Sequence, residues 1–262
     1  MVKKFLFKIV LLIIFSGVIF SKEKPLPLPG LDFNKRYLTD KELDELENPE
    51  ITMENYEKFS HVFPQNGATS TYRLGKEYVY NNKFFQVQND DTGRQWIHLS
   101  MDSKESVTSH SYLKNQLKSN GYFTLGTDAF VSFTFNLYSS APGEFLQIFW
   151  IWMNKPMNRT LYQIFYKDGT LYLMLPRFSK GAFSYRDEVA VGNYKQGTEA
   201  KLKFEIKDNL LTVFYNDKKA VTQKITEKFD TFSRGFFQFG LYPGVNTKVY
   251  SEMFLTDLAT EP

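Results

Sequence analysis

The sequence predicts an all-β fold, an antiparallel β-sandwich or jelly roll with a short N-terminal helical extension. From about Tyr72 onward the chain breaks into short segments rich in β-branched and aromatic residues, in which side chains alternate with period two. Turn dipeptides suited to tight hairpins, Asp168-Gly169, Asp208-Asn209 and Asn216-Asp217, separate several of these segments. No long helical pattern intervenes among about a dozen such segments, which favours antiparallel sheets stacked face to face over alternating parallel units. With 262 residues, 42% hydrophobic and 17% aromatic, the chain can bury a sizeable core.

Residues 1–21 read as a secretory signal peptide. Lys3, Lys4 and Lys8 precede or open an apolar run from Ile9 to Phe20, and small Ser21 follows before a charged stretch. The run is shorter than the ~20 apolar residues that a membrane-spanning helix needs. Removing the segment takes away three lysines and no acid, leaving 29 basic against 29 acidic residues. A balanced chain has no global electrostatic reason to bind nucleic acid. Membrane contact is expected only through the signal segment where it stays uncleaved, and the protein is expected to be secreted, periplasmic or extracellular.

Residues 22–60 read as a Pro-rich linker followed by a short helix. Pro25, Pro27 and Pro29 alternate, which favours an extended chain, and Thr39 with Glu42 forms a capping box for a helix that stops by Pro49. Residues 61–262 form the sandwich domain. The chain has no cysteine, which excludes thiol catalysis, thiolate metal sites and disulfides. His61, His98 and His110 share no spacing that would converge on an ion, so neither a metal site nor a cofactor is expected. The chain also lacks a Gly-x-Ser-x-Gly motif and a Glu-x-Asp-x-Glu carboxylate array, and the acidic "YRDE", Tyr185 to Glu188, reads as a solvated loop.

Three strands carry the functional expectation. In "AFVSFTFNLYS" the set Val131, Phe133, Phe135 and Leu137 is apolar, and Ser132, Thr134, Asn136 and Tyr138 form a mixed face that could line a cleft. In "EFLQIFWIWM" strict alternation puts Leu146, Ile148, Trp150 and Trp152 on one face, and Gln147 with Phe149 and Ile151 on the other. In "GFFQFGLYPG" Phe236, Gln238, Gly240 and Tyr242 share a face opposite Phe237, Phe239 and Leu241. Aromatic planes beside amides suit a sugar, which needs both stacking surfaces and hydrogen bonds to hydroxyls. The alternative at this level is a sheet with a half-wet outer face.

The order of motifs resembles the alginate-lyase-like jelly rolls, polysaccharide lyase family 7 and relatives. "YLKNQLK" (Tyr112 to Lys118), "QIF" (Gln147 to Phe149) and "FFQFGLYPG" (Phe236 to Gly244) look like degenerate forms of that family's three signatures. The resemblance implies that Lys114 and Gln147 hold and neutralise a uronate carboxylate, and that Tyr242 supplies the acid and the base of β-elimination. It assigns substrate contacts to Gln116, Lys118, Phe149 and Gln238. Phe149 stands where the family keeps a histidine, and a phenyl ring neither takes nor gives a proton. The expected partner is an acidic polysaccharide. Two functions stay open: recognition of uronate-containing glycans on a lyase scaffold with weakened or lost catalysis, which is preferred because several catalytic positions depart together, and an active divergent β-eliminative lyase.

Overall fold

The computed structural model describes residues 56–65, 68–74, 85–102, 115–124, 127–140, 145–155, 159–179, 182–225, 234–242 and 250–261. The signal peptide, the Pro-rich linker, the short helix and Lys114 lie outside the described residues. Among those described, one 3₁₀ turn (Tyr56–Lys58) precedes sixteen strands in two antiparallel sheets. No helix among them is long and apolar enough to cross a membrane.

The front sheet is built from β1 (Phe59–Gln65), β2 (Ala68–Arg73), β5 (Asn115–Ser119), β6 (Phe123–Thr124), β8 (Leu146–Lys155), β9 (Arg159–Lys167), β10 (Thr170–Ser179), β11 (Ala182–Asn193) and β15 (Arg234–Tyr242). Its order is β11-β10-β9-β8-β15-β5-β1-β2, with β6 beside β15. The back sheet contains β3 (Phe85–Asn89), β4 (Gln95–Asp102), β7 (Ala129–Ser139), β12 (Ala200–Lys207), β13 (Leu210–Tyr215), β14 (Lys218–Lys224) and β16 (Tyr250–Glu261), in the order β14-β13-β12-β7-β16-β4-β3. Chain neighbours are often not sheet neighbours, so the two sheets are interlaced by crossovers, as in a jelly roll.

Local chemistry explains the hairpins. Asp208, Asn209, Asn216 and Asp217 all have positive φ, 51° and 58° for the first pair and 49° and 61° for the second. Asp168 and Gly169 do the same at 49° and 77°. A two-residue turn with both central residues left-handed matches the twist of the strands it joins, and Asp, Asn and Gly tolerate that conformation best.

Two segments differ from the sequence expectation. Strands begin at Phe59, not near Tyr72, because Pro64 and His61 mask the strand pattern of β1. "YRDE" is not a loop: Tyr185 to Glu188 lie within β11. This strand ends the sheet order, and charged residues are common on edge strands because they oppose further strand pairing.

The core between the sheets is aromatic. Phe133 of β7 stacks on Phe239 of β15 at 4.6 Å, and Phe149 of β8 stacks on Phe204 of β12 at 3.5 Å between ring centroids. Each fully buried ring of this kind removes enough apolar surface from water to contribute about 1.5–3 kcal/mol.

Candidate functional site

At the centre of the front sheet β8, β15 and β5 lie side by side. Their register sets Lys118 beside Gln238, Gln238 beside Trp150, and Trp150 beside Gln163 of β9. The adjoining row places Gln116 beside Gly240 and Tyr242 beside Gln147. Directly paired residues project to the same side of a sheet. Gln116, Lys118, Gln147, Gln238 and Tyr242 therefore share the front sheet's outer face.

Phe149 does not join them. Against β9 a register shift between Gln147 and Phe149 makes a β-bulge at Ile148; against β15 the shift at the same level puts the extra residue in β15, between Phe239 and Tyr242. Ile148 and Phe149 both enter the inter-sheet core, each at 0% exposure. The outward neighbour of Gln147 is Trp150, whose indole Nε1 donates to Gln147 Oε1 at 2.7 Å. Strict alternation had placed Gln147 and Phe149 together and Trp150 with the core. The extra residue reverses both assignments, as bulges commonly do beside functional sites.

Gly240 shapes the other half of the site. Its φ is +136°, and a Cβ there would stand 2.7 Å from the Gln116 Cα, a backbone atom that cannot give way. Only glycine lets β15 approach β5 this closely before Tyr242 turns onto the outer face. On that face Tyr242 meets the Trp150 ring edge-on at 6.1 Å. The Lys118 ammonium sits 4.1 Å from the centre of the Phe236 ring and 3.5 Å from the Tyr122 hydroxyl. Gln238 Nε2 donates to Gln116 Oε1, which ties the two amides together. Trp152 stacks on Phe236 at 6.3 Å, and Phe165 is sandwiched between Phe145 at 4.3 Å and Tyr172 at 5.1 Å.

On this face Lys118, Gln147, Trp152 and Tyr242 keep partial exposure and can offer an ammonium, an amide, a ring and a phenol to a ligand, whereas Gln116, Gln238, Trp150, Phe165 and Phe236 are buried. Phe236 stands on this face as the alternation of its strand predicts, whereas Trp150 and Trp152, expected on the core side, and Gln163 and Phe165 are additions of the structure. The indole N–H of Trp150 was the available signal, since a buried indole N–H requires a partner.

Neither described histidine reaches this face. His61 turns between the sheets, where its Nε2 lies 2.8 Å from Asn115 Oδ1; burial lowers its pKa to about 4, against the opposing effect of the Asn115 hydrogen bond. His98 belongs to the back sheet and stacks on Phe254 at 4.2 Å, with its pKa lowered to about 3 by burial. Among the described residues no group of three or more His, Asp or Glu could hold a metal. A cavity of about 380 Å³ does exist on the back sheet, lined by Arg94, Thr134, Glu199, Lys201, Asp217 and Asp257. Its charges satisfy one another: Arg94 pairs with Glu199 and Asp257, and Lys201 with Asp217.

An interlaced antiparallel two-sheet sandwich is the architecture of a jelly roll. No protein-family model and no curated protein sequence matches the chain. Solved structures do. The alginate lyase AlyC3 superposes with a TM-score of 0.64 at 12% identity, over 86% of this chain and 98% of its own. A family 7 alginate lyase in complex with substrate (GGMG) gives 0.62 at 14% identity, over 79% of this chain and 93% of its own. The alginate lyase from Corynebacterium sp. gives 0.59 at 16% identity, over 78% and 94%. The chain has the jelly-roll fold of the family 7 polysaccharide lyases.

Proposed function

We propose that this is an exported protein that recognises uronate-containing polysaccharides on a lyase scaffold, with elimination chemistry weakened or lost. The observation that carries this proposal is the make-up of the face around Gln147. Trp150 stands beside Gln147, Gln238 and Tyr242, and an indole N–H only donates, so it can neither abstract the proton next to a carboxylate nor relay one. The partly exposed Trp152 ring, Gln147 amide, Tyr242 phenol and Lys118 remain for binding. The bound states named for the structural neighbours, an alginate lyase with GGMG and another with dimannuronate, make an acidic glycan the first candidate.

An active lyase is the second proposal, favoured by the direct pairing of Tyr242 with Gln147. In it Tyr242 is acid and base, and Lys114 with Gln147 meets the carboxylate. The proposals separate when purified protein is incubated with alginate, polyglucuronate and heparin-like polymers. Binding by calorimetry without the ultraviolet absorbance of an unsaturated uronate supports recognition alone. Steady growth of that absorbance supports the lyase, and failure to bind any of the polymers defeats both.

A further inference from the structure

We infer that Trp150 is a positioning residue that fixes the polarity of Gln147, so that the front-sheet face selects a carboxylate-bearing sugar over its neutral counterpart. The inference rests on the glycan-binding function proposed above and adds the residue that sets its selectivity.

A side-chain amide can offer a ligand either its oxygen, which accepts, or its –NH₂, which donates. For Gln147 that choice is removed. Trp150 Nε1–H is a donor and nothing else, so the atom 2.7 Å from it must be the Gln147 oxygen. The Gln147 Nε2 is left to point its N–H groups elsewhere. Gln116 and Gln238 lack this constraint, because their bond joins one amide to another and survives a concerted flip of both. Gln147 is thus fixed with its oxygen engaged and its N–H groups not used in that bond, whereas Gln163 is fixed the other way, its Nε2 donating to Met174 Sδ, a thioether that only accepts.

Trp150 is itself held. It is 5% exposed, lies in register between Gln238 and Gln163, and meets the edge of Tyr242. A carboxylate accepts only, so a fixed donor next to Lys118's face favours it by a charge-assisted bond, whereas a sugar hydroxyl adapts to donor or acceptor alike. A hydrogen bond to a charged group is strong enough to give about a ten- to hundredfold preference.

The test measures binding of alginate oligosaccharides and of the same oligosaccharides with their carboxyl groups reduced, to the wild type and to Trp150→Phe. The wild type is expected to prefer the acidic form by about tenfold or more, and Trp150→Phe to lower that preference at least about fivefold. An unchanged preference in the variant overturns the inference and leaves glycan binding standing. A parallel loss of both affinities also overturns it, since the ring would then act only as packing. Wild-type protein that binds neither oligosaccharide fails the glycan-binding function itself, and the inference with it. A second measurement needs no variant fold to survive: proton exchange of the Trp150 indole N–H, followed by nuclear magnetic resonance in the wild type, should be slowed, and exchange at the rate of a free indole overturns the inference.

Discussion

β7 and β8 occupy corresponding central places in the two sheets, and both are long and aromatic, yet they obey different rules. β7 alternates without interruption: Val131, Phe133, Phe135 and Leu137 all point into the core at 0% exposure, and its pairing with β12 runs without a shift. The one shift on β7's other side, against β16, places the extra residue in β16, whereas β8 itself carries an extra residue, Ile148, against β9; a further shift at Ile151/Trp152 has its extra residue in β9. The polar half of β7, which sequence alone allowed as a cleft lining, sits on the outer side of the back sheet, opposite the candidate site, where Thr134 and Asn136 are buried. The difference teaches that an unbroken strand serves as scaffold, and that the broken one re-aims side chains for use.

Substitutions of the residues that enforce this difference should produce the largest effects. Phe149→Ala is expected to cost about 3–5 kcal/mol in chemical denaturation, because it empties a core position packed on Phe204. A loss below about 1 kcal/mol would place Phe149 outside the core and collapse the contrast between the strands. Phe149→His follows from the same geometry: it should destabilise the protein and produce no unsaturated uronate, since the imidazole would face the core. Any gain of lyase activity in that variant would contradict the bulge.

Gly240→Ala comes next, at about 3 kcal/mol, from a left-handed-side φ of +136° combined with the collision against the Gln116 backbone. Denaturation measures the cost, and a neutral result would mean that β15 does not need glycine to approach β5.

Acid should act more gradually. His61 and His98 are held neutral in the folded protein, with pKa values near 4 and 3 against an ordinary 6.5. The unfolded chain takes up protons that the folded one refuses, so stability is complete above pH 6.5 and declines as pH falls from 6.5 toward 4. Thermal midpoints measured across that range should fall, and His98→Gln should flatten the fall. An identical slope in the variant would show that His98 is not the buried neutral group on the back sheet.

The smallest structural effect is expected from Tyr242→Phe, a change of about 1 kcal/mol or less because the residue is only half-buried. Any lyase turnover should disappear in this variant while glycan affinity drops only modestly. Retained turnover would remove Tyr242 from the chemistry.

Much of this was legible in the sequence. The I′-type turns at Asp208-Asn209 and Asn216-Asp217 are set by the residues in them, so the hairpins they close were readable. Gln238 and Tyr242 share a face, as the alternation of "GFFQFGLYPG" predicts, although a register shift against β8 falls between Phe239 and Tyr242. Gln116 and Lys118 on β5 obey the same period, and their partners confirm a shared side. Alternation puts Trp150 and Phe149 on the wrong faces because a bulge has no signature in its own strand; it exists only as a mismatch with β9. β1 escaped notice because the proline and histidine within "FSHVFPQ" obscure its period, although pairing with β2 and β5 makes it a strand.

By itself, then, the sequence determined the class of fold, the hairpins and the chemical palette of amides, rings and lysine, because period two and turn conformations are local properties of a few successive residues. Only the tertiary structure decided which of those side chains meet. Register between strands distant in sequence is fixed by the packing of two sheets at once, and a single extra residue at Ile148 moved the pivotal position from Phe149 to Trp150.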